Sequence, residues 1–149
     1  MRSILSTPAR RRRYPRLARL AMVGIALAAY PACVLTYTWS HVLQSPLPGG
    51  RHGPLDAYRH TLASAVVAYT SDPRAVHLVN DVMERRGKRA NTMDIHNNLI
   101  GAAIGSRATR FSDLEPMVAR SVAAGGIDAA SPDQTTWLPA SDWKEGFAW

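Results

Sequence analysis

Two short segments of the chain contain side chains of the kinds that bind metal ions and transfer protons. Asp56 and His60 lie four residues apart, and a later segment contains Asp94, Asn97 and Asn98. Residues three or four apart lie on the same face of a helix. If both segments are helical, each presents a polar face, and the second does so at the spacing that a helix usually reserves for its apolar stripe.

Binding of a divalent metal ion is the first chemistry that these residue types allow. His60, Glu84 and Asp94 offer an imidazole and two carboxylates, a set suited to zinc, manganese or iron. A bound ion would lower the pKa of a water, which could then attack an ester or an amide. The spacing matches no named zinc signature, so the sequence leaves the cofactor open between a divalent metal and none.

Catalysis without a metal is the second option. His60 would act as a general base, oriented by Asp56 or Glu84. The amides of Asn97 and Asn98 would then donate hydrogen bonds to a developing oxyanion. Both options predict a hydrolase, and both use largely the same side chains.

Arg59 lies beside this polar face and could bind the phosphate or carboxylate of a substrate through two hydrogen bonds. A purely structural interpretation is also open, because a buried polar network can join helices when all its members are satisfied. Asp94 would then do no more than cap a helix, three residues after Asn91. The alternative function is therefore a non-catalytic envelope protein that binds a partner.

The elements that position these residues are predicted to be helices. Pro54 can occupy the first turn of a helix, and apolar residues recur at three and four along 55–69. Asp72 is predicted to cap a second helix, with Pro73 at its first position and Gly87 after its end.

A third helix is predicted between a cap at Asn91 and a closing Gly105. Gly101 and Gly105 would let a neighbouring backbone approach closely. Ser112 and Glu115 match the capping box of a fourth helix, which is predicted to reach about residue 124.

The remaining tail has no hydrophobic period and contains three tryptophans within 13 residues, namely Trp137, Trp143 and Trp149. They could pack over the helices, lie at a membrane interface or line a binding site.

An uncharged segment before this domain is long enough to cross a membrane. Residues 20–38 contain no charged side chain, and about 20 apolar residues span the hydrocarbon core. The seven arginines and no acids of residues 1–19 would hold that end in the cytoplasm. A cleaved signal peptide, a lipoprotein signal ending at Cys33 and a buried soluble helix are the alternatives.

The same arginines explain the basic composition. The chain has a net charge of +7, yet residues 20–149 contain 11 basic and 11 acidic side chains. This balance argues against a nucleic-acid-binding domain, because such a domain needs a basic surface of its own.

Two blocks of residues resemble a bacterial domain family of unassigned function. The first, residues 53–60, contains Asp-Ala-Tyr-Arg-His, and the second, residues 93–101, reads Met-Asp-Ile-His-Asn-Asn-Leu-Ile-Gly. That family usually has a glutamate between the blocks, which Glu84 matches, and often an aromatic residue where this chain has Ala63. The resemblance covers residues 53–105 and implies a small helical domain, often in exported or cell-surface proteins, with no assigned reaction.

The sequence as a whole predicts an all-α protein with one transmembrane helix, a bundle of three to four helices and an irregular tail. It would be a single-pass protein of the inner membrane, contacting the bilayer through its span and an unknown envelope substrate or partner through its outer domain. The predicted parts are a basic cytoplasmic flank (1–19), a signal anchor (20–43), a linker (44–53), the helical domain (54–126) and the tail (127–149).

Overall fold

The computed structural model describes residues 15–77 and 89–145. Within these ranges the chain is helical, with short 3-10 turns and irregular connections, so the predicted all-α class is confirmed. The only strand-like pairing in the described ranges is an antiparallel bridge between Arg51 and Lys144. The chain divides into two units, one up to Cys33 and one from Val34 onward.

The first unit holds most of a long apolar helix, α1, which covers Pro15–Val42. Its stretch Leu17–Val42 is long and apolar enough to cross a membrane, and only 6% of the apolar window is buried. Leu17 and Ile25 remain 62% and 69% exposed. The core helix of a soluble protein would instead bury most of such a surface, so the buried-helix alternative is disfavoured.

The last turns of α1 belong to the second unit. Val34, Thr38 and Val42, spaced four apart, are each at least 92% buried. The ring of Tyr37 contacts that of Phe111 edge-on, with 5.0 Å between the centroids. One face of these turns therefore contributes to the core of the domain.

Helix α2 covers Pro54–Thr70 and confirms the predicted start, with Gly53 as N-cap and proline in the first turn. Residues 73–77 are also helical, and Oδ1 of Asp72 accepts a hydrogen bond of 2.7 Å from the N–H of Arg74. This contact confirms the predicted Asp72 cap. The predicted end of that helix, at Gly87, lies outside the described residues.

Helix α3 covers Arg89–Arg107 and packs mainly against α2. The predicted boundaries at Asn91 and Gly105 are wrong, because both residues lie inside this helix. A Cβ atom at Gly105 would collide with the carbonyl oxygen of Ala65, and one at Gly101 with that of Thr61. The predicted close approach of a neighbouring backbone at Gly101 and Gly105 is therefore confirmed, whereas Gly105 does not end the helix.

Helix α4 covers Leu114–Ala123 and follows a 3-10 turn at Phe111–Asp113. The predicted Ser112–Glu115 capping box is wrong, because Asp113 accepts the hydrogen bond from the N–H of Arg110 instead. The side chain of Glu115 accepts a hydrogen bond of 2.9 Å from the hydroxyl of Tyr58, which draws it toward α2. The predicted end near residue 124 is confirmed.

The tail packs on the domain through backbone hydrogen bonds. The N–H of Thr136 donates to the carbonyl of Gly126, and the N–H of Leu138 donates to that of His52, both at 2.8 Å. Trp143 donates its ring N–H to the carbonyl of Leu138, and Trp137 packs against the core. These two tryptophans therefore help to hold the tail, whereas Trp149 lies outside the described residues.

The core itself is apolar and lies where α2, α3 and α4 meet the end of α1. Its most buried members are Ala57, Leu62, Ala65, Leu114, Val118 and Val122.

Candidate functional site

Three of the predicted site residues converge on one point between α2 and α3. His60 Nε2 lies 3.6 Å from Asp56 Oδ1 and 3.6 Å from Asp94 Oδ1. One ligand atom from each residue lies within 4.8 Å of the other two. The close contact between α2 and α3 at Gly101, about two turns along α3 from Asp94, brings the two polar faces together and so allows the three residues to converge.

The two separations around His60 are close to those between ligands of a shared metal ion, and the Asp56–Asp94 pair lies within 4.8 Å. Ligand atoms that bind one ion at about 2.1 Å lie roughly 3.0–3.4 Å from each other. The observed 3.6 Å separations around His60 Nε2 need to contract by only a few tenths of an ångström. Two carboxylates and one imidazole form a donor set suited to zinc, manganese or iron.

Arg59 also contacts this cluster. Its Nη2 lies 2.5 Å from Asp56 Oδ1 and 3.2 Å from His60 Nε2. Its guanidinium carbon lies 5.8 Å from the centre of the Trp39 ring. Since Asp56 is 97% buried, the guanidinium supplies the positive charge that a buried carboxylate needs.

His60 favours its neutral form in this environment. Burial lowers the pKa of His60, and the charge of Arg59 lowers it further, while Asp56 and a hydrogen bond with Asn98 oppose the shift. A guanidinium can only donate, so Nε2 is the accepting, unprotonated nitrogen in its contact with Arg59. An unprotonated Nε2 is what both a metal ligand and a general base require.

The two asparagines have different positions. Asn98 accepts a hydrogen bond of 3.0 Å from the hydroxyl of Ser64, and hydrogen bonding with Asn98 raises the pKa of the His60 imidazole. Asn97 is fully buried, and its amide nitrogen donates to the carbonyl of Thr136 at 2.9 Å. The structure therefore uses the Asn97 amide to hold the tail and does not present it as an oxyanion donor. Glu84 lies outside the described residues.

His52 belongs to this region as well, although sequence reasoning placed it in a linker without a role. Its N–H donates to Asp56 Oδ2 at 2.7 Å, and its Nδ1 lies 3.9 Å from the same oxygen. Its side chain is only 12% exposed, and its Nδ1 is buried without a hydrogen bond. Burial lowers the pKa of His52, and Asp56 opposes this.

The backbone of His52 is unusual, with φ at 69°, in the left-handed region that side chains rarely adopt. The four-residue spacing between His52 and Asp56 was visible in the sequence. The left-handed backbone at His52 was not visible in the sequence, because this conformation would be expected at one of the nearby glycines, Gly50 or Gly53.

Comparison of the chain with protein-family models, with curated proteins and with solved structures finds no match. The cluster must therefore be interpreted from its own chemistry.

Proposed function

We propose that this protein is a membrane-anchored hydrolase whose outer domain binds a divalent metal ion through Asp56, His60 and Asp94. The observation that carries the proposal is the convergence of three suitable ligand atoms within 4.8 Å of one another. The resemblance of residues 53–60 and 93–101 to a family found in exported proteins adds support, because these blocks contain all three residues.

A metal ion held here supplies a Lewis acid that lowers the pKa of a bound water. The residues of the chain hold and orient the groups around it. Asn98 supports the imidazole of His60, and the N–H of His52 fixes Oδ2 of Asp56 so that Oδ1 faces the cluster. Arg59 is the group that would hold an anionic part of the substrate.

The proposed cellular position rests on α1 and the arginines before it. The part of the apolar helix from Leu17 to Cys33 anchors the chain in the inner membrane, while its turns from Val34 onward contribute to the core of the domain. The seven arginines of residues 1–19 hold the N-terminus in the cytoplasm. The domain then faces the periplasm or exterior, where its substrate is a component of the envelope. A reporter that is active only outside the cytoplasm should give signal when fused at Gly50; activity of a cytoplasmic reporter there would reverse this topology.

A non-catalytic role is the second candidate, favoured by the ion pair between Arg59 and Asp56. This contact neutralises a buried carboxylate without any metal, and the Ser64–Asn98 hydrogen bond adds a direct link between α2 and α3. In that case the cluster stabilises the domain, and the domain binds an envelope partner by another surface.

Metal analysis of the full-length chain in uncharged detergent distinguishes the metal-dependent hydrolase from the non-catalytic protein. After incubation with manganese or zinc and removal of free ions, the parent chain should retain about one ion per molecule. His60→Ala should lose it, while His77→Ala, which changes an exposed histidine, should keep it.

The same three proteins are then assayed on chromogenic phosphate esters, carboxylic esters and amides. Hydrolysis that depends on both the ion and His60 supports the enzyme. A parent chain without metal or activity, combined with a lower melting temperature of His60→Ala, supports the structural role instead.

A further inference from the structure

The guanidinium of Arg59 lies against two of the three atoms that are proposed to bind the metal. Asp56 Oδ1 and His60 Nε2 are 3.6 Å apart, and Arg59 Nη2 contacts both, at 2.5 Å and 3.2 Å. A cation that binds this pair of atoms therefore needs the place that Nη2 has in the structure. The guanidinium and the metal ion cannot both be there, because of their size and their like charge.

We propose that Arg59 competes with the metal ion for Asp56, and that once displaced it binds an anionic oxygen group of the substrate. This inference rests on the proposed cation site and deepens it by naming the substrate class. It makes the metal ion and the anion bind cooperatively, since each favours the arrangement in which Arg59 has left Asp56.

Charge balance supports the exchange. Among the described side chains of the cluster, two carboxylates, one guanidinium and a neutral imidazole carry one net negative charge, which a divalent ion turns into one net positive charge. Asp56 stays paired throughout, first with Arg59 and then with the ion, so no buried charge is left without a partner. With the metal ion bound, the net positive charge attracts an anion. Without the ion, the cluster and Arg59 together are negative and do not attract one.

The position of Arg59 suits its second role. Its side chain is 14% exposed, and its guanidinium carbon lies 5.8 Å from the centre of the Trp39 ring. An aromatic face stabilises a guanidinium by a cation–π interaction, so Arg59 keeps a neighbour when it leaves Asp56. The planar fork of a guanidinium matches the two oxygens of a phosphate or a carboxylate.

Reciprocity between the two ligands gives the test. If phosphate draws Arg59 away from Asp56, phosphate must tighten metal binding by the same factor as the metal tightens phosphate binding. Manganese binding is measured on the full-length chain in uncharged detergent, from the paramagnetic resonance signal of free Mn²⁺. Titrations are made alone, with inorganic phosphate and with acetate, at one ionic strength.

In the parent chain, phosphate or acetate should tighten Mn²⁺ binding by about tenfold, a typical coupling between sites. The anion that has the larger effect identifies the substrate group as phosphate or carboxylate. Complex formation between Mn²⁺ and phosphate in solution also lowers the signal of free Mn²⁺, so the same titration of His60→Ala measures this contribution and it is subtracted.

Arg59→Gln should bind Mn²⁺ more tightly than the parent chain without any anion and should lose the response to anions. Arg107→Gln removes an exposed arginine of α3 and should behave like the parent. Arg59→Lys keeps the competing charge without the planar fork, so it should bind Mn²⁺ like the parent but respond less to anions. If Arg59→Gln fails to fold, the weaker response of Arg59→Lys to anions still tests the proposal.

Two failures can be told apart. If neither the parent nor the Arg59 variants bind Mn²⁺, the proposed cation site itself is wrong. If the parent and Arg59→Gln bind Mn²⁺ equally, and anions change neither, the site stands and competition by Arg59 is overturned.

Discussion

Gly101 of α3 lies directly against the backbone of Thr61 in α2, and a single added carbon at Gly101 would collide with the Thr61 carbonyl oxygen. This contact sets the distance between the two helices that carry Asp56, His60 and Asp94. The geometry of the candidate site thus depends on a residue that contributes no chemistry to it.

Replacing Gly101 with alanine should push α2 and α3 apart. We expect Gly101→Ala to lower the free energy of unfolding by about 1–3 kcal/mol, as overpacking does, and to weaken metal binding. Urea denaturation of the full-length chain in detergent measures the first effect and Mn²⁺ titration the second. Gly126→Ala is the matched control, because a Cβ at Gly126 meets nothing within 4 Å. Equal stability of the two variants would contradict the packing argument.

The left-handed backbone of His52 predicts an unusual order of stability between two substitutions. His52→Gly and His52→Ala both remove the imidazole and keep the N–H that donates to Asp56, but only glycine adopts φ near 69° without strain. We expect the glycine variant to be more stable than the alanine variant by about 1 kcal/mol. Thermal unfolding of both variants measures the difference, and an alanine variant of equal or greater stability would show that the turn is unstrained.

The two adjacent asparagines should separate stability from metal binding. Asn97→Ala removes the donor to the Thr136 carbonyl, so it should cost about 1–3 kcal/mol of stability and leave the cation site unchanged. Asn98→Ala removes the support of His60, so it should weaken Mn²⁺ binding by about tenfold. Each variant is measured by urea denaturation and by Mn²⁺ titration. Loss of metal binding in Asn97→Ala but not in Asn98→Ala would contradict these two assignments.

Tyr58 predicts a loss of stability at alkaline pH. Burial raises the pKa of Tyr58, and its hydrogen bond to Glu115 raises it further, whereas an unfolded tyrosine titrates near its ordinary value of about 10. A group whose pKa is raised by folding contributes stability that is full below the unfolded pKa and declines as the pH rises above it.

We therefore expect the free energy of unfolding to fall between pH 9 and pH 11, and to fall less steeply in Tyr58→Phe. Tyr69→Phe is the control that removes a different phenol hydroxyl from the same helix. Parallel pH profiles of the parent and Tyr58→Phe would exclude Tyr58 as the cause. The profiles are obtained by urea denaturation of each chain at fixed ionic strength.

Local signals in the sequence determined the helical class, the apolar span and the start of α2. They also brought Asp56, His60 and Asp94 forward as site residues, and they indicated the glycine contact of α3. These features depend on residues within one or two turns of each other, where spacing and residue type act directly.

Only the tertiary structure decided which partner each polar group has. Asn98 accepts a hydrogen bond from Ser64, Glu115 accepts one from Tyr58 instead of capping a helix, and Asn97 holds the tail. Buried polar groups take whichever partner the packing brings near, often from a distant part of the chain, because leaving them unpaired is costly. That choice depends on how the helices and the tail come together, and no spacing within one segment encodes it.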